Sequence, residues 1–153
     1  QLHLAESLPS SSPFPAPQWH FFQPAHPFCN SMSDTTTTLQ DLKTLIHDFV
    51  AEREWEKYHS PKNLSMALAV EASELMEHFQ WIDLDESRAV ANDPQKLAEV
   101  GEELADVFAY SLALADVLGL DLADTVRAKM VKNVAKYPAD KFRGNYSIED
   151  KRS

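Results

Sequence analysis

Four acidic residues of this chain occur as two pairs, and the acids of each pair stand three positions apart. The pairs are Glu71-x-x-Glu74 and Glu103-x-x-Asp106. Residues three apart are neighbours on the surface of a helix, so each pair can present two carboxylates side by side. Sets of oxygen ligands select hard cations, and we expect Mg²⁺ first and Mn²⁺ second. The spacing therefore predicts a metal site built from two helices.

Both pairs lie against apolar surroundings. At about 100° per residue, Glu71 falls in the middle of the apolar helix stripe that begins at Leu64, and Glu74 falls at its edge. Asp106 precedes the run 107–115, which is apolar on nearly every side, as is typical of a buried helix. A carboxylate there is costly unless it is paired or binds a metal. If only one such pair were present, its acids could equally lie on a solvated helix face or form surface ion pairs instead of binding a metal.

A basic segment and two tryptophans accompany the acidic pairs. Six of the fourteen Lys and Arg residues fall within seventeen positions near the C-terminus, and Lys129, Asn133 and Lys136 share one helix face. Enzymes that transfer phosphoryl groups combine a metal bound by carboxylates with cationic side chains. The helix dipole alone also favours lysines near the C-terminus of a helix, so the dipole is the alternative explanation. Trp55 and Trp81 flank the first acidic pair, and each could stack on a nucleobase or pack in the core.

The elements that must position these residues are helices. Apolar residues recur at helical spacing in a first helix, and His59-Ser60-Pro61 ends the pattern. The first predicted helix spans Leu39 to Tyr58, and the second runs from Ser60 or Asn63 to about Gln80. The third spans Pro94 to Leu118 and stops at Gly119, and the fourth is capped by Asp121 and runs to about Tyr137. The link at 83–92 is predicted to hold at most one short turn. With no segment typical of a strand, the pattern predicts an all-α, four-helix bundle-like domain over residues 38–143.

The two ends of the chain differ from this domain. Residues 1–37 hold six of the nine prolines and no Lys or Arg, so we predict a disordered N-terminal extension, with Met32 as the preferred native start. Residues after Pro138 are polar and are predicted to be loose, with a flexible tail at 144–153.

Composition excludes several classes of function. The net charge of −10 disfavours binding to a nucleic acid backbone, and three glycines leave no Gly-rich phosphate loop. No apolar run approaches the roughly 18 residues of a membrane span. A single cysteine, Cys29, excludes an intrachain disulfide, and we expect a reducing, cytoplasmic location. The domain has no His-x-x-x-His or cysteine pair, which weighs against zinc.

Three stretches of the chain resemble the MazG-like all-α nucleoside triphosphate pyrophosphohydrolases, and within them most of all the dCTP pyrophosphatase type. The stretches are EREWEKYHSPKNLSMALAVEASELMEHFQW, EELADVFAYSLALAD and KMVKNVAKYP, and the resemblance covers about residues 39–143. The family signature is E-E-x-x-E followed by E-x-x-D. The two acidic pairs match it across the 28 positions from 75 to 102, except that Val70 replaces the first glutamate.

The resemblance implies an activity and a role for each matching residue. The implied reaction is hydrolysis of dCTP or a modified dCTP to the monophosphate and pyrophosphate, by an activated water that attacks the α-phosphorus, for nucleotide pool cleansing. Glu71, Glu74, Glu103 and Asp106 would bind Mg²⁺ and serve catalysis, with Glu74 or Glu77 as the general base. The implied substrate-binding residues are Trp55, Trp81 and Tyr110 at the base and deoxyribose, and Lys129, Asn133, Lys136 and Tyr137 at the triphosphate and sugar. His59, in the matching W-x-x-x-H segment, is a further implied substrate-binding residue.

The resemblance also implies a homo-oligomer, for which a tetramer is preferred to a dimer. Its subunits would pack through helices, and its active sites would lie between neighbouring subunits. Other readings stay open. A related pyrophosphohydrolase would act on dUTP, other nucleoside triphosphates or phosphoribosyl-ATP. A non-catalytic helical interaction module would use its acids only in surface ion pairs. We expect neither nucleic acid nor membrane as a partner.

Overall fold

The computed structural model describes residues 32–144, and every regular element within that range is helical. The elements are α1 (Leu39–Ala51), α2 (Pro61–Glu77), α3 (Leu84–Ala89), α4 (Pro94–Val117), α5 (Leu122–Lys136) and α6 (Ala139–Phe142), with 3₁₀ turns at Glu56–Tyr58 and Val90–Asn92. The all-α prediction is confirmed. The predictions for residues 1–31 and 145–153 lie outside the described residues.

Each of the four longer helices begins at a side-chain cap. In α4, for example, Asp93 Oδ1 accepts hydrogen bonds from the backbone N–H groups of Gln95 at 3.0 Å and Lys96 at 3.2 Å. A cap of this kind contributes about 1 kcal/mol, because it satisfies N–H groups that have no partner within the helix. The four caps are Thr38, Ser60, Asp93 and Asp121.

The first helix ends at Ala51 and not at Tyr58, so that prediction was wrong. The chain leaves α1 through a Schellman motif, in which Glu54 N–H donates to Ala51 O at 3.0 Å and Trp55 N–H donates to Val50 O at 3.1 Å. The motif requires a left-handed residue, and Glu54 supplies it with φ +53°. Glycine usually occupies this position, and a glutamate there hides the helix end from the sequence.

Two short helices occupy segments for which the sequence predicted less structure. After α2, the chain forms α3 and a 3₁₀ turn, because Asp83 and Glu86 make a capping box with hydrogen bonds of 2.8 and 3.0 Å. After Pro138, where loose chain was predicted, α6 forms instead. Its Phe142 packs edge-on against Tyr137, with ring centroids 5.3 Å apart, and this apolar contact holds the segment.

The core lies where α2 packs along α4 and where α1 packs on the C-terminal half of α4. Polar contacts accompany the second packing: Lys43 Nζ donates to Leu120 O at 2.8 Å, and His47 Nδ1 lies 3.7 Å from Asp116 Oδ2. Leu112 is 1% exposed, and burial of a leucine side chain contributes about 1.5–3 kcal/mol. The buried apolar residues are Val50, Leu64, Val90, Leu112, Ala113 and Ala115.

Helix α5 has no buried residue and makes only sparse contacts with the other helices. The stop that precedes it is as predicted: Gly119, with φ +64°, closes a second Schellman motif in which Leu120 N–H donates to Ala115 O at 2.8 Å. A single described chain therefore packs α1, α2 and α4 together and leaves α5 largely uncovered. None of the helices within residues 32–144 is both long and apolar enough to cross a membrane.

Candidate functional site

Three of the four predicted metal ligands come together where α2 packs along α4. Glu71 and Glu74 lie one turn apart on α2, and Glu103 reaches them from α4. One carboxylate oxygen of each lies within 4.8 Å of the other two. Glu71 and Glu103 are half-buried and Glu74 is exposed, so the group opens to solvent at Glu74. We call these three residues the carboxylate trio.

Within the part of the chain that the structure describes, no positive side chain neutralises the carboxylate trio. Among residues 32–144, none of its members forms a hydrogen bond or an ion pair with Lys, Arg or His. Partial burial raises the pKa of Glu71 above its usual value, and nearby carboxylates, Asp106 first and then the rest of the trio, raise it further. A cation bound here would remove this repulsion, so the arrangement favours a metal ion.

Asp106, the fourth predicted ligand, lies beside the trio. Its charge reaches Glu71, and its own pKa is raised by partial burial and then by the charge of Glu102. Glu102 was not among the predicted site residues. It stands four positions before Asp106 on the same side of α4, and this spacing was the available signal in the sequence. The role of Asp106 as a ligand stays a prediction.

Tyr110 is the aromatic residue that the structure brings to the carboxylates. It is half-buried on α4, one turn beyond Asp106. Burial raises the pKa of its hydroxyl, and the charges of Glu71 and Asp106 raise it further. The phenol therefore stays protonated throughout the neutral range and is able to donate a hydrogen bond to an anion bound at this site.

The donor set of the trio suits a hard divalent cation. Every ligand atom that it offers is a carboxylate oxygen. Proteins hold Mg²⁺ through one or two carboxylates, while waters and substrate phosphates complete its octahedron. The trio offers at least as many carboxylates as this pattern needs and opens to solvent at Glu74, so it could hold a metal ion beside a bound phosphate.

Three further residues predicted to bind the substrate lie at the two ends of α2. Trp55 and His59 precede that helix and Trp81 follows it. Trp55 is 41% exposed and packs edge-on against Phe49, with ring centroids 5.9 Å apart. Trp81 is 88% exposed, which excludes core packing for this indole within one described chain. No hydrogen bond among residues 32–144 joins these side chains to the carboxylate trio.

The residues predicted to hold the triphosphate lie along α5 and at its C-terminal end. Lys136 Nζ lies 5.0 Å from the centre of the Tyr137 ring, and Asn133 Nδ2 lies 3.7 Å from Met130 Sδ. Lys129 and Lys136 are exposed. In the described part of the chain, none of the four predicted residues forms an ion pair or a hydrogen bond with the trio. Their role as phosphate ligands stays a prediction.

The sequence that carries this site matches a known protein family. The model of the MazG-like family matches residues 66–148, more than half of the chain. This chain belongs to the MazG-like family. The MazG-like region begins within α2 and continues through α4 and α5, so it includes the carboxylate trio, Asp106 and the basic helix.

Curated relatives of this MazG-like chain share one description. It is 42% identical over 108 residues to dCTP pyrophosphatase 1 of Bos taurus, and the match covers 71% of this chain and 64% of that relative. It is 43% identical over 102 residues to dCTP pyrophosphatase 1 of Homo sapiens, covering 67% of this chain and 60% of the relative. The match therefore spans less than two thirds of the length of either relative.

A solved structure of a similar protein has a similar fold. The crystal structure of a pyrophosphatase from Archaeoglobus fulgidus superposes with a TM-score of 0.62 at 38% sequence identity. The superposition covers 71% of this chain and 99% of the archaeal chain. The superposed part of this chain thus corresponds to nearly the whole of the archaeal chain, which is named a pyrophosphatase.

Proposed function

We propose that this protein hydrolyses dCTP or a modified dCTP to the monophosphate and pyrophosphate, in a reaction that depends on Mg²⁺, and that it thereby cleanses the nucleotide pool. The observation that carries the proposal is the carboxylate trio, an unneutralised group of ligands in a MazG-like chain. The names of the curated relatives point to dCTP as the nucleotide.

Each carboxylate has a place in this reaction. Glu71, Glu74 and Glu103 would hold the cation, with Asp106 beside them. Bound Mg²⁺ supplies neutralisation of phosphate charge and a water of lowered pKa. A carboxylate that is not fully engaged takes the proton of the attacking water, and Glu74 suits this role better than Glu77 because it belongs to the trio.

The bonds that change are those of the α-phosphate. A water oxygen forms a bond to the α-phosphorus, and the bond from that phosphorus to the bridging oxygen breaks, so that the β- and γ-phosphates leave together as pyrophosphate. The Tyr110 hydroxyl, which stays protonated, would donate a hydrogen bond to the substrate. Trp55 and Trp81 would stack on the base, since both present exposed indole surface.

A second subunit is part of the proposal. Two helices each expose an apolar stripe at helical spacing, and a stripe that stays exposed in one chain is typical of an interface. The stripes are Leu97, Leu104 and Phe108 on α4 and Val126, Met130 and Val134 on α5. We propose a homotetramer, with a dimer as the alternative. Its active sites would lie between subunits, so that Lys129, Asn133, Lys136 and Tyr137 reach the triphosphate from α5.

A nucleotide panel tests the proposal. The purified protein is incubated with Mg²⁺ and dCTP, modified dCTPs, dUTP, dTTP, ATP or phosphoribosyl-ATP, and released pyrophosphate is measured. Fastest release from dCTP or a modified dCTP supports the proposed substrate, and a preference for dUTP or phosphoribosyl-ATP assigns a related pyrophosphohydrolase. If no nucleotide releases pyrophosphate with Mg²⁺, the protein is a helical module without this activity.

A further inference from the structure

The corner between α1 and α2 is an ordered connection that ends at the start of the helix bearing Glu71 and Glu74. It comprises residues 52–60, from the end of α1 to the Ser60 cap of α2. The left-handed Glu54 reverses the chain, and a 3₁₀ turn follows at Glu56–Tyr58. Whatever fixes this corner also fixes Trp55 relative to the carboxylates of α2.

Trp55 is held through both its backbone and its ring. Its N–H donates to Val50 O at 3.1 Å, and its carbonyl accepts from the backbone N–H of Tyr58 at 2.8 Å. The indole packs edge-on against Phe49. On the other side of the same corner, the Arg53 guanidinium lies 3.8 Å from the centre of the Phe49 ring.

His59 supplies the one side-chain hydrogen bond to this tryptophan among the described residues. Its Nδ1 lies 2.9 Å from Trp55 O. Because a carbonyl oxygen can only accept, this partner assigns a proton to Nδ1, and in the neutral ring Nε2 is then an acceptor. The hydrogen bond lies within the corner, and His59 directly precedes the Ser60 cap of α2.

We propose that His59 is a positioning residue: through its Nδ1–H···O=C hydrogen bond it holds Trp55 at a fixed place relative to the carboxylate trio. The imidazole thus fixes the backbone of Trp55, and the position of the backbone sets where the indole meets the ligand. The proposal rests on the proposed function only for the identity of that ligand, a nucleobase. It assigns His59 to ground-state binding and not to the chemical step.

Two isosteric substitutions separate this role from a direct contact with the substrate. The side-chain amide nitrogen of Asn in H59N takes the place of Nδ1, whereas that of Gln in H59Q takes the place of Nε2. With dCTP and Mg²⁺, we expect H59N to keep KM within about twofold of the wild type. We expect H59Q and H59A to raise KM roughly 3- to 10-fold, the effect of one lost hydrogen bond, with kcat within about twofold.

A second readout does not depend on activity. In a W19F/W81F background Trp55 is the only tryptophan, and quenching of its fluorescence by acrylamide reports its exposure. We expect stronger quenching in H59A and H59Q and wild-type quenching in H59N. If wild-type protein releases no pyrophosphate from any nucleotide, the proposed function fails, and quenching still decides the role of His59.

Three outcomes would overturn the assignment. If H59Q keeps KM and H59N loses it, His59 acts through Nε2 on the substrate. If quenching is the same in all three variants and the wild type, His59 does not hold Trp55. If the thermal midpoint falls while KM and quenching stay constant, the hydrogen bond serves only the stability of the corner.

Discussion

Glu71 is the residue at which the demands of the fold and of the site conflict. It lies half-buried between α2 and α4, next to three other carboxylates and without a cationic partner among the described residues. The raised pKa means that the native state binds a proton here more tightly than the unfolded chain does. In the metal-free protein, ionised Glu71 therefore lowers the free energy of unfolding at neutral pH.

Replacement of this charge should stabilise the metal-free protein. At pH 7 we expect E71Q to exceed the wild type by up to about 1 kcal/mol in free energy of unfolding, a value already reduced for solvent screening. Below the usual glutamate pKa of 4.5, both chain states hold the proton and the difference should disappear. Urea unfolding in EDTA at pH 7 and at about pH 3.5 measures it, and a less stable E71Q at pH 7 would contradict it.

Two controls fix the sign of this effect. The pKa of Asp41 is lowered by its hydrogen bonds to the Thr38 backbone and hydroxyl, so D41N should lose stability at pH 7, and this loss should vanish as pH falls through the lowered pKa. Mg²⁺ should reverse the order at pH 7. At one hundred times its Kd, Mg²⁺ should stabilise the wild type by about 2.7 kcal/mol and E71Q far less.

The same substitution should abolish most of the activity. Metal coordination contributes several kcal/mol to the transition state, so we expect E71Q to lower kcat/KM for dCTP by a factor of at least about 100. D85N is the matched control, because Asp85 is a 93% exposed acid on α3 that pairs only with Arg88. Pyrophosphate release at several Mg²⁺ concentrations measures both variants. Full turnover by E71Q would remove Glu71 from the metal site.

Helical spacing was enough to predict the carboxylate trio, because α2 and α4 are regular where its members stand. The angle of Glu71 within its apolar stripe agrees with its half-burial. Whether the residues predicted to bind phosphate reach the trio was beyond such reasoning. They lie along the C-terminal half of α5 and just after it, but spacing within a helix says nothing about which other helix that face meets.

At the scale of elements, the ends of the helices decide where the aromatic residues stand. Glu54 is a non-glycine residue in the left-handed region, and the Schellman motif at the end of α1 depends on it. A side chain in this conformation costs about 1–2 kcal/mol. This strained residue turns the chain from α1 into the corner that carries Trp55.

Glycine at this position should relieve the strain. We expect E54G to raise the free energy of unfolding by roughly 0.5–1 kcal/mol, which is the strain less the entropy that glycine adds to the unfolded chain. E52G is the control, since Glu52 has φ −54° in the ordinary helical region and should lose about 0.5–1 kcal/mol. Urea titrations measure both, and equal losses in the two variants would refute strain at Glu54.

Helix starts were predictable from sequence because caps and prolines act locally. Asp93 with Pro94, and Ser60 with Pro61, each mark the first turn by their own chemistry. The end of α1 was not predictable, because the residue in the left-handed position is Glu54 and not glycine. Helix α6 was missed for a different reason: its support is the contact between Phe142 and Tyr137, which exists only once the chain has turned at Pro138.

At the scale of the molecule, the described chain leaves much apolar surface uncovered. The stripe of α4 is buried by α1 around Leu112 and Ala115, and it continues exposed through Leu104 and Phe108. The sequence predicted that residues 107–115 of this helix are apolar on nearly every side. Which half of the stripe stays uncovered depends on the length of α1, and that length was overestimated.

A charge in the exposed half of the stripe should weaken self-association. We expect L104E to raise the dissociation constant of the assembly at least about tenfold, because it removes a leucine that the proposed interface would bury and puts a carboxylate there. Q95E is the control, since position 95 lies nine residues earlier, on the opposite side of α4, and gains the same charge. Sedimentation equilibrium measures both variants. A monomeric wild type with full activity would contradict the proposed assembly.

Helix α5 has 15 residues and little support from its own chain. Isolated helices of about that length are marginal in water. Its backbone N–H groups should therefore exchange with deuterium rapidly in dilute protein and slowly in concentrated protein, while those of α2 and α4 change little. The fraction of molecules in which the C-terminal part of the domain is folded would then rise with protein concentration. The abundance of the protein would thus help to set its structure.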